Sequence, residues 1–238
     1  IDLEYQSILQ EELQRRIDES GAKGAMGVLM DPQNGEILAM ASLPDFDLNN
    51  PNMTPLENQK NKVITDQFEP GSTFKIVAAT AALNTGKISL NDEFNCEVGK
   101  FEFDGWTISD HEKFGVLTFP QIIANSSNVG VIKIAQIIGK EPLYRLSRNY
   151  GFGTPTGISF PGESQGILRQ KKDWSKMSLA SISIGYEVGV TALQIASAYS
   201  AIANGGVLLK PQIVMQIISN QGELLFKSKP EPIRKVVK

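Results

Sequence analysis

The sequence predicts an α+β fold, with an antiparallel sheet flanked by helices and accompanied by an all-α subdomain. Three observations carry this reading. Hairpin signals stand near both ends of the chain, helical patterns fill its middle, and strands nowhere alternate with helices as a parallel, doubly wound sheet requires.

Among residues 4–20, Tyr5, Ile8, Leu9, Leu13 and Ile17 fall near one helical face between charged residues, which predicts an opening amphipathic helix. Ala25-Met26-Gly27-Val28-Leu29-Met30 and Glu36-Ile37-Leu38-Ala39-Met40-Ala41 read as strands joined by the turn Asp31-Pro32-Gln33-Asn34-Gly35. Residues 44–68 are rich in Asn, Pro and Asp without periodicity and read as a long loop. A tight turn at Pro70-Gly71 then leads into Ile76-Val77-Ala78-Ala79-Thr80-Ala81-Ala82-Leu83, too apolar for a surface helix and so expected to be central and buried. From Asn91 to Lys113 the chain is polar with scattered aromatics (Phe94, Phe101, Phe103, Trp106), which suggests short strands. Helices return at Thr118 to Ala124, Val129 to Ile138 and Glu141 to Tyr150, and Gly151 to Gly157 reads as a turn-rich connector. The helix from Thr191 to Ala203 stops at Asn204-Gly205-Gly206, a C-cap signal. Gln212 to Ser219 and Glu223 to Lys227 form a second hairpin around Asn220-Gln221-Gly222. The expected organisation is one domain over 1–238: helix and hairpin in 1–43, a mostly helical subdomain in 67–205, and a C-terminal hairpin region in 206–238.

Composition narrows the function classes. With 238 residues, 41% hydrophobic and 21% charged, the chain can bury a sizeable core, which excludes disorder. A net charge of −3, with no basic block longer than Lys171-Lys172, leaves no electrostatic footprint for nucleic acid. The single Cys96 excludes an internal disulfide and a thiolate metal cluster and reads as a small packing residue. The single His111 excludes a metal site needing two imidazoles and would have to be the base of any Ser-His-Asp triad. It lies in Ser109-Asp110-His111-Glu112-Lys113, a polar stretch that reads as a solvated loop. No Gly-x-Ser-x-Gly elbow and no Walker-type loop occurs, and neither a cofactor nor a metal is expected. The chain has no N-terminal signal pattern and no apolar run long enough to cross a bilayer; with Ile1 in place of an initiator methionine, it reads as a segment of a longer protein.

The chemistry starts in Glu69-Pro70-Gly71-Ser72-Thr73-Phe74-Lys75. Positions i and i+3 share a helical face, so the Lys75 amine is expected to reach the Ser72 hydroxyl, and the helix start favours negative charge near the serine oxygen. Such a lysine serves as a base only if burial or a neighbouring charge lowers its pKa. A second constellation, Asn125-Ser126-Ser127-Asn128, stands between Ile122-Ile123 and Val129-Gly130-Val131. Read alone, it fits a helix break capped by Ser and Asn. It equally fits a second hydroxyl, Ser126, that relays a proton, beside an Asn128 amide that binds a substrate carbonyl and the lysine.

Pro-Gly-Ser-x-x-Lys followed by Ser-x-Asn between helices resembles the penicillin-binding proteins and serine β-lactamases. Further stretches are similar to the transpeptidase domains of class B penicillin-binding proteins: Gly35 to Ser42 with Pro44-Asp45-Phe46-Asp47, Phe68 to Ser72, Ser126 to Gly130, Phe160-Pro161-Gly162-Glu163, and Ser183 to Gln194. The resemblance runs from Ile1 to about Pro211, and the Ser-Ser-Asn-Val-Gly form looks more like the septal (division or sporulation) branch than the elongation branch.

The resemblance implies a peptidoglycan D,D-transpeptidase fold and activity, with Ser72 as acylated nucleophile, Lys75 as its base, Ser126 as the relay that protonates the leaving D-alanine and Asn128 orienting the substrate amide. Ser127 and Tyr186 are implied as substrate-binding residues. Implied partners are stem peptides ending in D-Ala–D-Ala, β-lactams as covalent inhibitors, and a glycosyltransferase with divisome proteins, at the extracytoplasmic face of the bacterial membrane. The rival readings are a serine β-lactamase, for which Glu163 or Glu187 would have to support deacylation, and a non-catalytic β-lactam sensor or scaffold. One departure stands out: the family's Lys-Thr-Gly or Lys-Ser-Gly strand has no counterpart, since Asn84-Thr85-Gly86-Lys87 follows the serine helix, where Gly86 is expected as a cap. The expectation is therefore a domain lacking its last strands and final helix, whose remaining C-terminal part carries that strand and without which the hairpin 25–42 has an open edge and an uncovered face.

Overall fold

A computed structural model describes residues 1–237, which divide into two compact units. The first comprises Ile1–Gln67, Thr154–Gly166 and Val190–Val236; the second comprises Phe68–Gly153 and Ile167–Gly189 together with Val237.

The first unit opens with helix α1 (Leu3–Ser20), started by the Asp2 carboxylate, which accepts from the Glu4 and Tyr5 N–H groups, and closed by Gly21 in the left-handed region. Strands β1 (Ala25–Met30) and β2 (Ile37–Leu43) pair antiparallel with Val28 opposite Met40, as the hairpin signal predicts. α1 lies on one face of this hairpin, and Gly27 makes the approach possible: a Cβ there would stand 2.8 Å from Leu9 Cδ1. The Gln6 side chain both donates to Met40 O and accepts from Met40 N, at 3.0 and 2.9 Å. Leu9, Leu13 and Ile17 are half-buried, whereas Tyr5 and Ile8, expected on the same face, are exposed.

Met26, Val28, Met30 and Met40 point to the opposite face, against a core of Ile37, Val63, Ile64, Ile158 and Leu193. The hairpin is thus covered on both sides, which corrects the expectation of an uncovered face. Part of the cover comes from the presumed loop 44–68, which holds 3₁₀ turns at Pro51–Met53 and Leu56–Gln59 and a short helix α2 (Lys62–Thr65). Burial of Val63 and Ile64 fixes that helix, where periodicity was too short to reveal it.

The second unit begins with a 3₁₀ turn, Gly71–Phe74, continued by helix α3 (Lys75–Thr85). Its following polar excursion contains strands β3 (Glu93–Asn95), β4 (Lys100–Phe103), β5 (Trp106–Ser109) and β6 (Val116–Thr118), paired β3 with β6 and β4 with β5. Helices α4 (Phe119–Ala124), α5 (Asn128–Ile138) and α6 (Lys140–Asn149) follow, then β7 (Ile167–Leu168), α7 (Ser178–Ser183) and β8 (Val188–Gly189), with β7 pairing β8. α3 is the hub the sequence predicts: Val77, Ala78, Ala81 and Ala82 are buried, and α5 and α6 both pack on it. Gly86 closes it at φ 67, the capping role expected of the Asn84-Thr85-Gly86-Lys87 stretch. α5 is apolar almost all round, as a helix enclosed by its neighbours must be. Gly130 lets α4 approach it, because a Cβ there would meet Ile122 Cγ1 at 2.7 Å.

The chain then returns to the first unit with α8 (Ala192–Ala203), β9 (Val207–Leu209), β10 (Gln216–Ile218), β11 (Leu224–Lys227) and β12 (Pro232–Lys235). Buried Gln194, near the start of α8, donates to Thr154 O and Gln165 O at 2.9 and 3.0 Å and so secures the segment 154–166. β10 and β11 form the expected second hairpin, and β12 pairs β9. Among the described residues the strands make separate two-stranded ladders instead of one continuous sheet, all antiparallel, within an α+β fold.

Candidate active site

Ser72, Lys75, Ser126, Ser127, Asn128 and Tyr186 all lie in the second unit, where backbone geometry prepares the place. Gly71 adopts φ 55, and its N–H donates to Gly185 O at 3.0 Å. The return contact is tighter still: a Cβ on Gly185, itself at φ 88, would lie 2.0 Å from Gly71 O. Beside it the Glu69 carboxylate accepts from the Glu187 N–H at 2.9 Å. Two bonds therefore hold the turn before Ser72 against the loop 185–187. Glu187 adopts φ 58, an uncommon conformation for a non-glycine residue, and its carboxylate is fixed by Arg169 and by the Ser178 hydroxyl, the latter at 2.7 Å.

From this turn Ser72 presents an exposed hydroxyl that has no hydrogen-bond partner among the described residues. Phe74, fully buried against Phe152 with ring centroids 4.8 Å apart, anchors the next turn. Lys75 stands at the start of α3 and is only 3% exposed. Its amine does not bond Ser72, as helical spacing suggested; it donates to Ser126 O and Ser126 Oγ at 2.5 and 2.9 Å. The Gly71–Phe74 turn keeps Ser72 and Lys75 on one side of the chain, but the amine is taken up by the two Ser126 oxygens at the break before α5. Burial pushes the Lys75 pKa down to about 8, against the opposing pull of the Asp110 carboxylate.

Ser126 occupies the break between α4 and α5 at φ 52, so the polar quartet is a helix break that also carries the hydroxyl bonded to Lys75. Asn128 opens α5 and donates from its side-chain amide to Ser109 O at 2.9 Å. Ser127 differs from the expectation of a substrate contact: it is fully buried, caps α5 by accepting from Gly130 N at 2.9 Å, and donates to Asp110 at 2.7 Å. Nearby Cys96 is buried, in keeping with a packing role, and burial raises its thiol pKa. Tyr186 is 52% exposed on the loop bonded to the serine turn. His111 is exposed and meets the Phe114 ring edge-on at 5.4 Å, while the candidate lysine is served by other groups.

Sequence reasoning missed Asp110, which accepts from the Asn128 and Val129 N–H groups at 2.5 and 3.1 Å. A single acidic residue in a polar stretch carries no periodic signal that could have marked it. Glu163 is equally engaged, in the first unit, where it accepts from Thr156 N and Oγ1 at 2.7 and 2.5 Å and from Gly157 N at 3.1 Å. Among the described residues no group of acidic, histidine or cysteine side chains is placed to hold a metal ion. Chemically, the second unit offers an exposed hydroxyl, a buried amine that loses its proton near pH 8, and a second hydroxyl on that amine.

Known proteins share the sequence and the fold of this chain. The penicillin binding protein transpeptidase domain family matches residues 25–237. The chain is 37% identical over 221 residues to "Probable peptidoglycan D,D-transpeptidase PbpC" of Pseudomonas aeruginosa, covering 93% of this chain and 39% of that protein. It is 34% identical over 241 residues to "Stage V sporulation protein D" of Bacillus subtilis, covering 99% and 37%. These curated relatives are thus matched over well under half of their length. Among solved structures, the transpeptidase domain of penicillin-binding protein 3 from Burkholderia pseudomallei superposes with a TM-score of 0.84 at 31% identity, over 100% of this chain and 65% of that one. Penicillin-binding protein 3 from Mycobacterium tuberculosis, complexed with aztreonam, gives 0.86 at 33% identity, over 100% and 53%. With matched sequence, matched fold and the paired serine–lysine and serine–asparagine elements in one unit, this chain belongs to the penicillin-binding protein transpeptidase domain family.

Proposed function

We propose that this domain is a peptidoglycan D,D-transpeptidase that works through an acyl-enzyme on Ser72 and is a target of β-lactams. The observation that carries the reading is the buried Lys75 amine, with a pKa near 8, held 2.9 Å from Ser126 Oγ and one turn from the exposed Ser72 hydroxyl. A serine needs such a base to become a nucleophile, and a base is most effective when its pKa lies near the working pH.

In the proposed reaction Ser72 Oγ attacks the carbonyl carbon of the penultimate D-alanine of a stem peptide and passes its proton to Lys75 Nζ. The Ser72 N–H is one donor to the developing oxyanion. The C–N bond to the terminal D-alanine breaks as the proton moves from Lys75 through Ser126 Oγ to the leaving amine. The amine of a neighbouring stem peptide then attacks the ester, loses a proton along the same path, and Ser72 Oγ leaves with it. Asn128, its amide nitrogen committed to Ser109 O, turns its oxygen to the substrate amide, and Tyr186 lines the cleft.

Three further parts belong to the same proposal. A relative named for stage V of sporulation, with the Ser126-Ser127-Asn128-Val129-Gly130 form, supports a septal role, and glycosyltransferase and divisome partners are proposed as part of that role. A location on the extracytoplasmic face follows from the substrate; no helix among the described residues is long and apolar enough to cross a membrane. The β-lactamase reading is disfavoured because Glu163 is bound to Thr156 and Gly157 in the first unit, and Glu187 is held by Arg169 and Ser178.

The test is an exchange assay on the intact protein, with a stem peptide ending in D-Ala–D-Ala and a labelled D-amino acid as acceptor. The label should replace the terminal D-alanine, and Ser72→Ala should abolish this. Rapid turnover of a chromogenic β-lactam without exchange would favour the β-lactamase instead.

A further inference from the structure

The polar excursion between α3 and α4 has an internal construction directed at one residue. Glu97, Val98 and Gly99 follow one another with φ of 53, 54 and 80, and a Cβ on Gly99 would stand 2.4 Å from Glu112 O. Such a run is costly for non-glycine residues and persists only where surrounding bonds over-determine it. Here Lys133 of α5 supplies them, donating to Asn95 O at 2.7 Å and pairing with Glu97 at 2.6 Å. Gly99 O then accepts from the Asp110 N–H at 2.9 Å. The strained crossing thereby delivers Ser109-Asp110 to the start of α5.

There the two residues hold three consecutive positions. Asp110 Oδ1 accepts from the N–H groups of Asn128 and Val129, its Oδ2 accepts from the Ser127 hydroxyl, and Ser109 O accepts from the Asn128 amide. Ser126, the residue before them, is left at φ 52 with its oxygens against the Lys75 amine. The turn is therefore gripped from one side by Asp110 and from the other by Lys75.

We propose that Asp110 is a positioning residue of the acylation step: its carboxylate fixes the Ser126–Asn128 turn so that the Ser126 hydroxyl stays on the Lys75 amine, and it places a negative charge beside that amine. The inference rests on the reading of Ser72 and Lys75 as nucleophile and base. A carboxylate suits the role because backbone N–H groups at a helix start, and the positive end of the dipole, favour charge over a neutral amide. The other titratable groups around it are accounted for. Lys133 is paired with Glu97, the Cys96 thiol is buried against Ser127 with its pKa raised, and His111, Glu112 and Lys113 are exposed on the loop.

The experiment measures the second-order rate of acylation of the intact protein by a fluorescent penicillin against pH, for wild type, Asp110→Asn and Asp110→Glu, with thermal unfolding of each. In Asp110→Asn the plateau rate should fall about tenfold to a hundredfold, the scale of a misplaced reacting group. Its ascending limb should also move to lower pH, because an amine without that neighbouring charge is harder to protonate. Asp110→Glu should keep the limb in place while lowering the plateau, since the charge remains but the turn is displaced. A folded Asp110→Asn with wild-type limb and plateau overturns the proposal. If that variant does not fold, a wild-type plateau in Asp110→Glu overturns it. A wild type that is not acylated at Ser72 sinks the underlying functional reading instead, so the two failures are distinguishable.

Discussion

Lys75→Met is expected to lower the rate of acylation by a β-lactam by about 10²–10⁴-fold, the range a positioned general base supplies, while leaving the fold intact or more stable. The two effects have opposite signs for one physical reason. In the folded protein the amine is 3% exposed and its pKa is lowered from 10.5 to about 8, mainly by desolvation. Below pH 8 it is protonated in both folded and unfolded chains, and the cost of burying the charge, about 3 kcal/mol, is fully present. That cost fades as pH rises through 8 to 10.5, above which the amine is neutral in both states. Methionine removes it, offset by about 1–3 kcal/mol for Ser126 oxygens left without their donor. Thermal unfolding at pH 7 should therefore show an unchanged or raised midpoint. In the wild type, the acylation rate should rise with pH and level off above about 8. A rate that is flat across this window would show that Lys75 is not the base.

Gly185→Ala should be the most damaging small substitution near the site. The added Cβ would stand 2.0 Å from a backbone oxygen, Gly71 O, at a residue whose φ of 88 already excludes most side chains. Neither the oxygen nor the glycine can yield without breaking the Gly71 N–H to Gly185 O bond that holds the serine turn. We expect a loss of about 2–4 kcal/mol in stability and a drop in acylation of at least about tenfold. Gly71→Ala provides the control, because a Cβ there meets nothing within 4 Å and only its φ of 55 opposes the change. Its cost should stay near about 1 kcal/mol. Comparable unfolding midpoints for the two variants would refute the packing argument.

Much of this arrangement was legible in the sequence, and the parts that were not share a cause. The serine helix, the opening hairpin and α5 are dictated by local pattern: a Pro-Gly turn before an alanine-rich run, alternating strands about a turn, an apolar stretch after a polar quartet. The pairing of Ser72 with Lys75 was read from helical spacing, but the amine bonds Ser126, a residue remote in sequence that local spacing could not bring into view. Asp110, the clamp between Gly71 and Gly185, and the burial of Ser127 depend on such long-range contacts, to which periodicity is blind. α2 and α7 escaped notice because each is little more than a turn long and is fixed by the side chains it buries. The same holds for the first unit, to which the chain returns at 154–166 and again after Val190.

The central claim is that Ser72 is the nucleophile, armed by the Lys75–Ser126 pair. Its most direct test is the intact mass of the protein after exposure to benzylpenicillin, followed by peptide mapping of the adduct. The account predicts one adduct carrying the whole mass of the antibiotic, persistent after the free drug is removed, located in the peptide containing Gly71-Ser72-Thr73 and absent from Ser72→Ala. An adduct on another residue, or none in a folded protein, would contradict it.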